Sequence, residues 1–229
     1  MNILVNGGTR GIGKAVVDCL ARENNNHILV TGRDKRALKS LTDKYTNVSS
    51  LAIDISEFDL HADIFRNTVY NSFKKVDIII NLAGLLIAKE FSAFSNNEAR
   101  MIMETNFFGP ASIIRIMRPL LSKGSHIVNI SSMGGFQGSV KYRGLSYYSA
   151  SKAALACLSE CLALEFSESG ISVNCLALGS VQTEMLNEAF PGYKAPVTSK
   201  EMAEYICEFA INGNKYFNGK VIPVAVTNP

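Results

Sequence analysis

Short aliphatic, β-branched runs alternate with stretches of helical spacing along the whole chain, and few folds can accommodate that rhythm. The runs lie near Ile3–Asn6, Ile28–Thr31, Ser50–Ile53, Val76–Asn81, His126–Ile130, Ser172–Ala177 and Lys220–Ala225. Between them, helical spacing covers roughly Gly11–Glu23, Lys35–Tyr45, Leu60–Phe73, Asn97–Leu121, Tyr147–Ser167 and Lys200–Ile211. Such alternation builds βαβ units, whose parallel strands are covered by helices on both faces. The expected architecture is α/β: one domain over residues 1–229 around a doubly wound, seven-stranded parallel sheet.

No repeat or Pro/Gly/Ser-rich linker divides the 229 residues. The least regular segment, 187–199, carries Pro191, Gly192 and Pro196, and is the candidate lid over a substrate. Hydrophobic residues make up 47% and charged residues 19%, which excludes disorder, and a net charge of +3 gives no footing for nucleic acid or a membrane surface. The longest apolar region, Val76 to Ala88, is interrupted by Asp77 and Asn81 and is too short to span a bilayer. The first residues run straight into a strand without a charged leader, so a soluble cytoplasmic protein is expected.

Five scattered cysteines suit a reducing compartment as free thiols. Cys157 and Cys161 are expected to be buried as small apolar residues. The three histidines share no ligand-spaced cluster with them, so no metal is expected.

Asn6-Gly7-Gly8-Thr9-Arg10-Gly11-Ile12-Gly13 follows the first strand and opens a helix. Gly7, Gly11 and Gly13 there supply a tight turn, close approach to a pyrophosphate and close helix–strand packing. The helix N-terminus adds free N–H groups and a partial positive charge. A dinucleotide site is expected, with Thr9, Arg10 and Ile12 in its lining.

Tyr148 stands four residues before Lys152, which places both on one helix face, where an ammonium can lower a phenol pKa. The same spacing at Tyr70/Lys74 closes a polar helix, and at Tyr216/Lys220 it is broken by Asn218-Gly219. Ser131 and Ser132 end the strand before Tyr148, at the sheet edge where open α/β folds bind ligands. Tyr147 points elsewhere on the helix and is expected to pack.

The Gly-x-x-x-Gly-x-Gly spacing, Asn81-Leu82-Ala83-Gly84, Ser131-Ser132 and Tyr148-Ser149-Ala150-Ser151-Lys152, in this order, resemble the classical short-chain dehydrogenase/reductase family over nearly the whole chain. The resemblance implies a Rossmann-type domain and hydride transfer between a nicotinamide cofactor and a small carbonyl or alcohol. It implies a catalytic set of Asn106, Ser132, Tyr148 and Lys152, with Ser132 holding the carbonyl oxygen, Tyr148 relaying the proton, Lys152 also binding the nicotinamide ribose, and Asn106 holding a water beside the lysine. It further implies that Asp54 and Ile55 flank the adenine, that Asn81, Ala83 and Gly84 line the adenosine ribose, and that Gly179, Val181 and Thr183 receive the nicotinamide. Family members are commonly homodimers or homotetramers joined through the two long helices, here 97–121 and 147–167.

Gly32 stands where an NAD-preferring relative carries an acid, and Arg33 follows with a guanidinium suited to a 2′-phosphate, so NADP(H) is favoured. Arg10 adds positive charge on the same side, while Asp34 turning inward is the competing arrangement. The chain departs from the family pattern in a longer Ser132–Tyr148 segment and in Leu178 replacing a proline. Lys141 or Arg143 in that segment is expected to meet an anionic substrate group. NADPH-dependent reduction of a ketone, aldehyde or 3-oxoacyl group is the leading expectation; NAD-dependent alcohol oxidation and a non-catalytic NADP(H) sensor are the alternatives.

Overall fold

A computed structural model describes residues 1–226. In chain order its elements are β1 (Asn2–Asn6), α1 (Gly11–Leu20), β2 (His27–Gly32), α2 (Lys35–Lys44), β3 (Val48–Ala52), α3 (Phe58–Ser72), β4 (Ile78–Asn81), α4 (Asn96–Met103) and α5 (Gly109–Met117). There follow β5 (His126–Ser132), α6 (Ser146–Glu165), β6 (Ser172–Leu178), β7 (Val181–Gln182), α7 (Glu184–Ala189), β8 (Val197–Thr198), α8 (Ser199–Asn212) and β9 (Val221–Val224). Seven strands form one sheet in the order β3-β2-β1-β4-β5-β6-β9, and every pairing in it is parallel.

Alternation along each strand explains the two covered faces. Ile3 and Val5 of β1 pack with α1 and α8 residues such as Val16, Val17 and Ile206. Leu4 between them packs on the other face with Phe65 and Val69 of α3 and Ile113 of α5. Each fully buried aliphatic side chain contributes about 1.5–3 kcal/mol. The strand order reverses between β1 and β4, which opens a crevice at the carboxyl ends of these two strands.

Two expectations need correction. The stretch 97–121 is not one helix: α4 passes into a π turn over Glu104–Phe108, then α5, then a 3-10 turn over Arg118–Leu120. Pro110 has no N–H to return to the Asn106 carbonyl, so the α-helical ladder cannot run evenly through this point. The second correction concerns α6, where Leu155, Ala156, Ser159 and Ala163 face inward, while Cys157 and Cys161 are exposed. They share the outer face with Leu164, also exposed.

His126, at the start of β5, is 1% exposed. Its Nδ1 lies 2.9 Å from the Ala210 carbonyl of α8 and its Nε2 lies 3.0 Å from Asn174 Nδ2 of β6. That pairing requires a neutral ring with the proton on Nδ1. Burial pushes its pKa down to about 4, the Ala210 carbonyl acting weakly against the shift. With a folded pKa below the unfolded value, stability is full above about pH 6.5 and is lost as pH falls toward 4, by roughly 3 kcal/mol. A melting temperature measured from pH 8 to pH 4 is expected to fall in that window, and His126→Gln to flatten this part of the decline.

Candidate active site

Gly7 bends the chain out of β1 with φ +89°, a conformation that side chains avoid. A methyl on Gly13 would collide with the Gly7 carbonyl, so α1 can start this close to the strand only with glycine there. Helices α2 and α8 are capped by side chains, Asp34 and Thr198 respectively. Helix α1 starts after Arg10 with no side-chain cap, leaving its first N–H groups for an anion.

A cavity of about 860 Å³ runs from this turn along the carboxyl ends of the strands. Gly7, Thr9, Arg10, Gly11, Ile12 and Gly13 line its near end, with Arg33, Asp54, Ile55, Ala83 and Gly84 beside them. Thr183 lies beside Gly11, and Gly179, Val181, Ser132, Tyr148 and Lys152 also line the cavity. A cradle of glycines under an uncapped helix, continuous with the Tyr148 site, fits an extended dinucleotide. Arg10 pairs with Glu188 of α7 at 3.7 Å, and Arg33 with Asp54 at 3.5 Å, all exposed enough to exchange partners. Asp34, the competing arrangement at the ribose, is spent as the cap of α2, accepting from Arg36 N and Ala37 N.

Asn81 and Asn106 are not part of the lining. Asn81 is 1% exposed, in a hydrogen-bond chain under the floor: Thr31 Oγ1 donates to Asn6 Oδ1, Asn6 Nδ2 to Asn81 Oδ1, Asn81 Nδ2 to Asn129 Oδ1 and Asn129 Nδ2 to Ser159 Oγ. These residues face each other across neighbouring strands, so the chain ties β2, β1, β4 and β5 to α6. Both ends of the Asn81 amide are thereby engaged within the fold. The Asn106 side chain is also fully engaged, accepting from Leu85 N at 2.7 Å and donating to Leu85 O and Ser151 Oγ, both at 2.9 Å. Ser151 Oγ in turn donates to the Tyr148 carbonyl at 2.7 Å. Asn106 and Ser151 thus fasten the π turn to the loop after β4 and to the helix that carries Tyr148. Sequence reading missed Ser151; its place one turn after Tyr147 hid it as a surface hydroxyl.

Lys152 is buried, and its Nζ donates to the Ile130 carbonyl at 2.9 Å. The Ser131 hydroxyl secures the same residue by donating to the Lys152 carbonyl at 2.8 Å. A methyl placed on Gly84 would sit 3.5 Å from Lys152 Nζ and 3.7 Å from Asn106 Oδ1, so the lysine of the cavity wall and the asparagine behind it both lie next to Gly84. Burial lowers the lysine pKa to about 8. The Tyr148 phenol is raised by burial, and its hydrogen bond with Ser132 acts against the rise. The expected lowering by Lys152 is not what the protein's own groups produce: the ammonium lies 6.0 Å from the ring centroid and is committed to Ile130.

Tyr147 packs as expected, stacked on Phe91 at 5.5 Å and edge-on to Phe94 at 5.0 Å. Lys141 and Arg143 do not reach the cavity. Lys141 Nζ instead donates to the Phe136 carbonyl and Ser139 Oγ, which folds the long loop on itself. In segment 187–199, Val197 and Thr198 pair with Val181 and Gln182 as β8 on β7, so this segment is partly ordered by its own small sheet. Leu178, in place of the family proline, extends β6 opposite Val224, and Gly179 N donates to the Val224 carbonyl.

A family profile described as short chain dehydrogenase matches residues 1–194. The chain belongs to the short-chain dehydrogenase/reductase family. It is 27% identical over 237 residues to the 3-oxoacyl-[acyl-carrier-protein] reductase FabG of Aquifex aeolicus, covering 96% of this chain and 94% of that one. It is 30% identical over 193 residues to a tropinone reductase homolog of Datura stramonium, covering 82% of this chain and 71% of that one. A solved structure described as ElxO with NADP bound superposes with a TM-score of 0.83 at 25% identity, covering 97% of this chain and 96% of that one. The chain is therefore an oxidoreductase of a nicotinamide-using family. Among the described residues, no helix is long and apolar enough to cross a membrane.

Proposed function

We propose that this short-chain dehydrogenase/reductase reduces a ketone, aldehyde or 3-oxoacyl group to an alcohol with NADPH. The observation that carries the reading is convergence: the Ser132 hydroxyl, the Tyr148 phenol and the Lys152 ammonium line one end of a cavity whose other end is the glycine turn of α1. Bound at that turn, the nicotinamide cofactor supplies hydride to the carbonyl carbon. Ser132 holds the carbonyl oxygen against Tyr148, which delivers the phenolic proton as charge builds on that oxygen. Lys152 binds the ribose hydroxyls, and the Asn106 carbonyl, which Pro110 cannot reach with an N–H, holds the water that restores the proton. Residues 187–199 act as the lid, and the outer faces of α5 and α6 join copies in a dimer or tetramer.

Arg33 and Arg10 read the 2′-phosphate of NADPH, each exchanging an exposed carboxylate partner for it. Arg33→Ser is expected to lower the preference for NADPH over NADH by about ten- to a hundredfold, the worth of a charge-assisted hydrogen bond. The ratio of kcat/KM values for the two cofactors measures it.

The test of the function is consumption of NADPH or NADH with a panel of aldehydes, ketones and 3-oxoacyl thioesters, with the alcohol product quantified. Stoichiometric alcohol with NADPH is expected. NADPH binding without turnover of any carbonyl would leave the sensor reading instead, and faster turnover with NADH would reverse the cofactor assignment.

A further inference from the structure

The substrate end of the cavity is an apolar chamber with aromatic walls. Leu145 and Tyr142 come from the long loop before α6, and Phe190 and Tyr193 from the lid segment after α7. Tyr193 is held in place by its hydroxyl, 3.3 Å from Ser180 Oγ.

The charged side chains that line the cavity are each accounted for. Arg10, Arg33 and Asp54 belong to the glycine-turn end, and Lys152 Nζ is given to Ile130. Glu184 also belongs to the glycine-turn end, since a methyl on Gly11 would sit 3.5 Å from its Oε2, and the one that remains, Glu201, is acidic. Glu201 is held ionised by the Thr198 N–H and hydroxyl, at 2.8 and 2.7 Å. The two cations of the neighbouring loop, Lys141 and Arg143, lie outside the cavity, Lys141 being tied to the Phe136 carbonyl at 2.6 Å. Among the described residues, a carboxylate or phosphate on the substrate would meet apolar walls and the Glu201 carboxylate, with no cation from the loop or lid to offset its desolvation.

We infer that the substrate is a neutral, apolar, ring-bearing carbonyl compound, read by Phe190, Tyr193 and Tyr142, and that anionic carbonyl compounds are excluded. Flat side chains contributed by the loop before α6 and by the lid suit a planar or cyclic body, which they can contact face-on or edge-on. The inference rests on the carbonyl-reductase reading and narrows it. Lid closure would complete the aromatic wall, because Phe190 and Tyr193 both belong to the lid.

Matched pairs test it: acetophenone against 4-acetylbenzoate and its methyl ester, and cyclohexanone against 4-oxocyclohexanecarboxylate. The neutral member of each pair is expected to have a kcat/KM about a hundredfold higher, with the methyl ester recovering the rate that the free acid loses. Tyr193→Ala and Phe190→Ala are expected to raise KM for acetophenone about tenfold with kcat little changed. In parallel, the melting temperature of the NADPH-loaded protein is followed with the neutral and the carboxylate compounds. Equal or better use of the carboxylates, or equal stabilisation by them, overturns the inference and leaves the reductase reading standing. Stabilisation by the neutral compounds alone, without turnover of any carbonyl, supports the chamber's specificity and sinks the reductase reading. If none of the compounds is turned over and none stabilises the protein, the inference is overturned.

Discussion

Replacing Tyr148 by phenylalanine is expected to lower kcat for carbonyl reduction by about 10²- to 10⁴-fold, the usual worth of a positioned general acid. NADPH binding, measured by nucleotide fluorescence, is expected to be retained, because the glycine turn and Arg33 do not depend on the phenol. The ring's packing is unchanged by the substitution, so the fold should persist; the residue that loses its hydroxyl lines the cavity. A fall in kcat/KM that comes entirely from KM would instead make Tyr148 a binding group. Unchanged kcat would remove proton transfer from it altogether. Ser132→Ala should act in the same direction with a smaller loss, since it removes a holder of the oxygen and leaves the acid. Its effect on the phenol adds to this: without the Ser132 hydroxyl, burial acts unopposed, and the Tyr148 pKa rises further.

Strong local signals carried most of the fold. The seven apolar runs became the seven strands of one parallel sheet, because a strand buried on both faces must be apolar at nearly every position, as Ile78-Ile79-Ile80 is. The glycine turn was equally legible, since the Gly7 and Gly13 positions tolerate no side chain. Cys157 and Cys161 were misread because α6 carries small and apolar residues around most of its circumference, so spacing does not say which face turns inward. The π turn at Glu104–Phe108 had a signal that spacing arguments overlook: Pro110 four residues after Asn106. Asn81 showed the limit of reading a motif one residue at a time. Its role lies in lateral pairing with Asn6 and Asn129, and those partners are distant in sequence. Lys141 was misplaced for a local reason: its contact with Phe136, five residues earlier, depends on how the loop closes.

Lys152 gives the second large effect, and its sign can be followed with pH. Burial holds its pKa at about 8, so the free protein loses the ammonium as pH rises through that value. In the proposed mechanism the charged form binds the ribose hydroxyls, so kcat/KM for NADPH is expected to fall on the alkaline side of about pH 8. Lys152→Met, close in shape and uncharged, is expected to lower kcat/KM by at least a hundredfold and to lose this alkaline limb, since the group that titrates is gone. Stability moves the other way. A base whose folded pKa lies below its unfolded value opposes folding at neutral pH, and this opposition fades as pH rises from about 8 to 10.5, where the two states bind protons equally. The methionine variant escapes that cost, on the order of 3 kcal/mol, but leaves the Ile130 carbonyl without its donor, a loss of about 1–3 kcal/mol. The two nearly cancel at pH 7, so the informative readout is the slope: wild-type stability should gain on the variant as pH rises from 8 to 10. A wild type whose stability relative to the variant is flat across that range would mean that the lysine is solvated in the fold, and with it would go the account of Lys152 as a charge held against burial for the sake of the reaction.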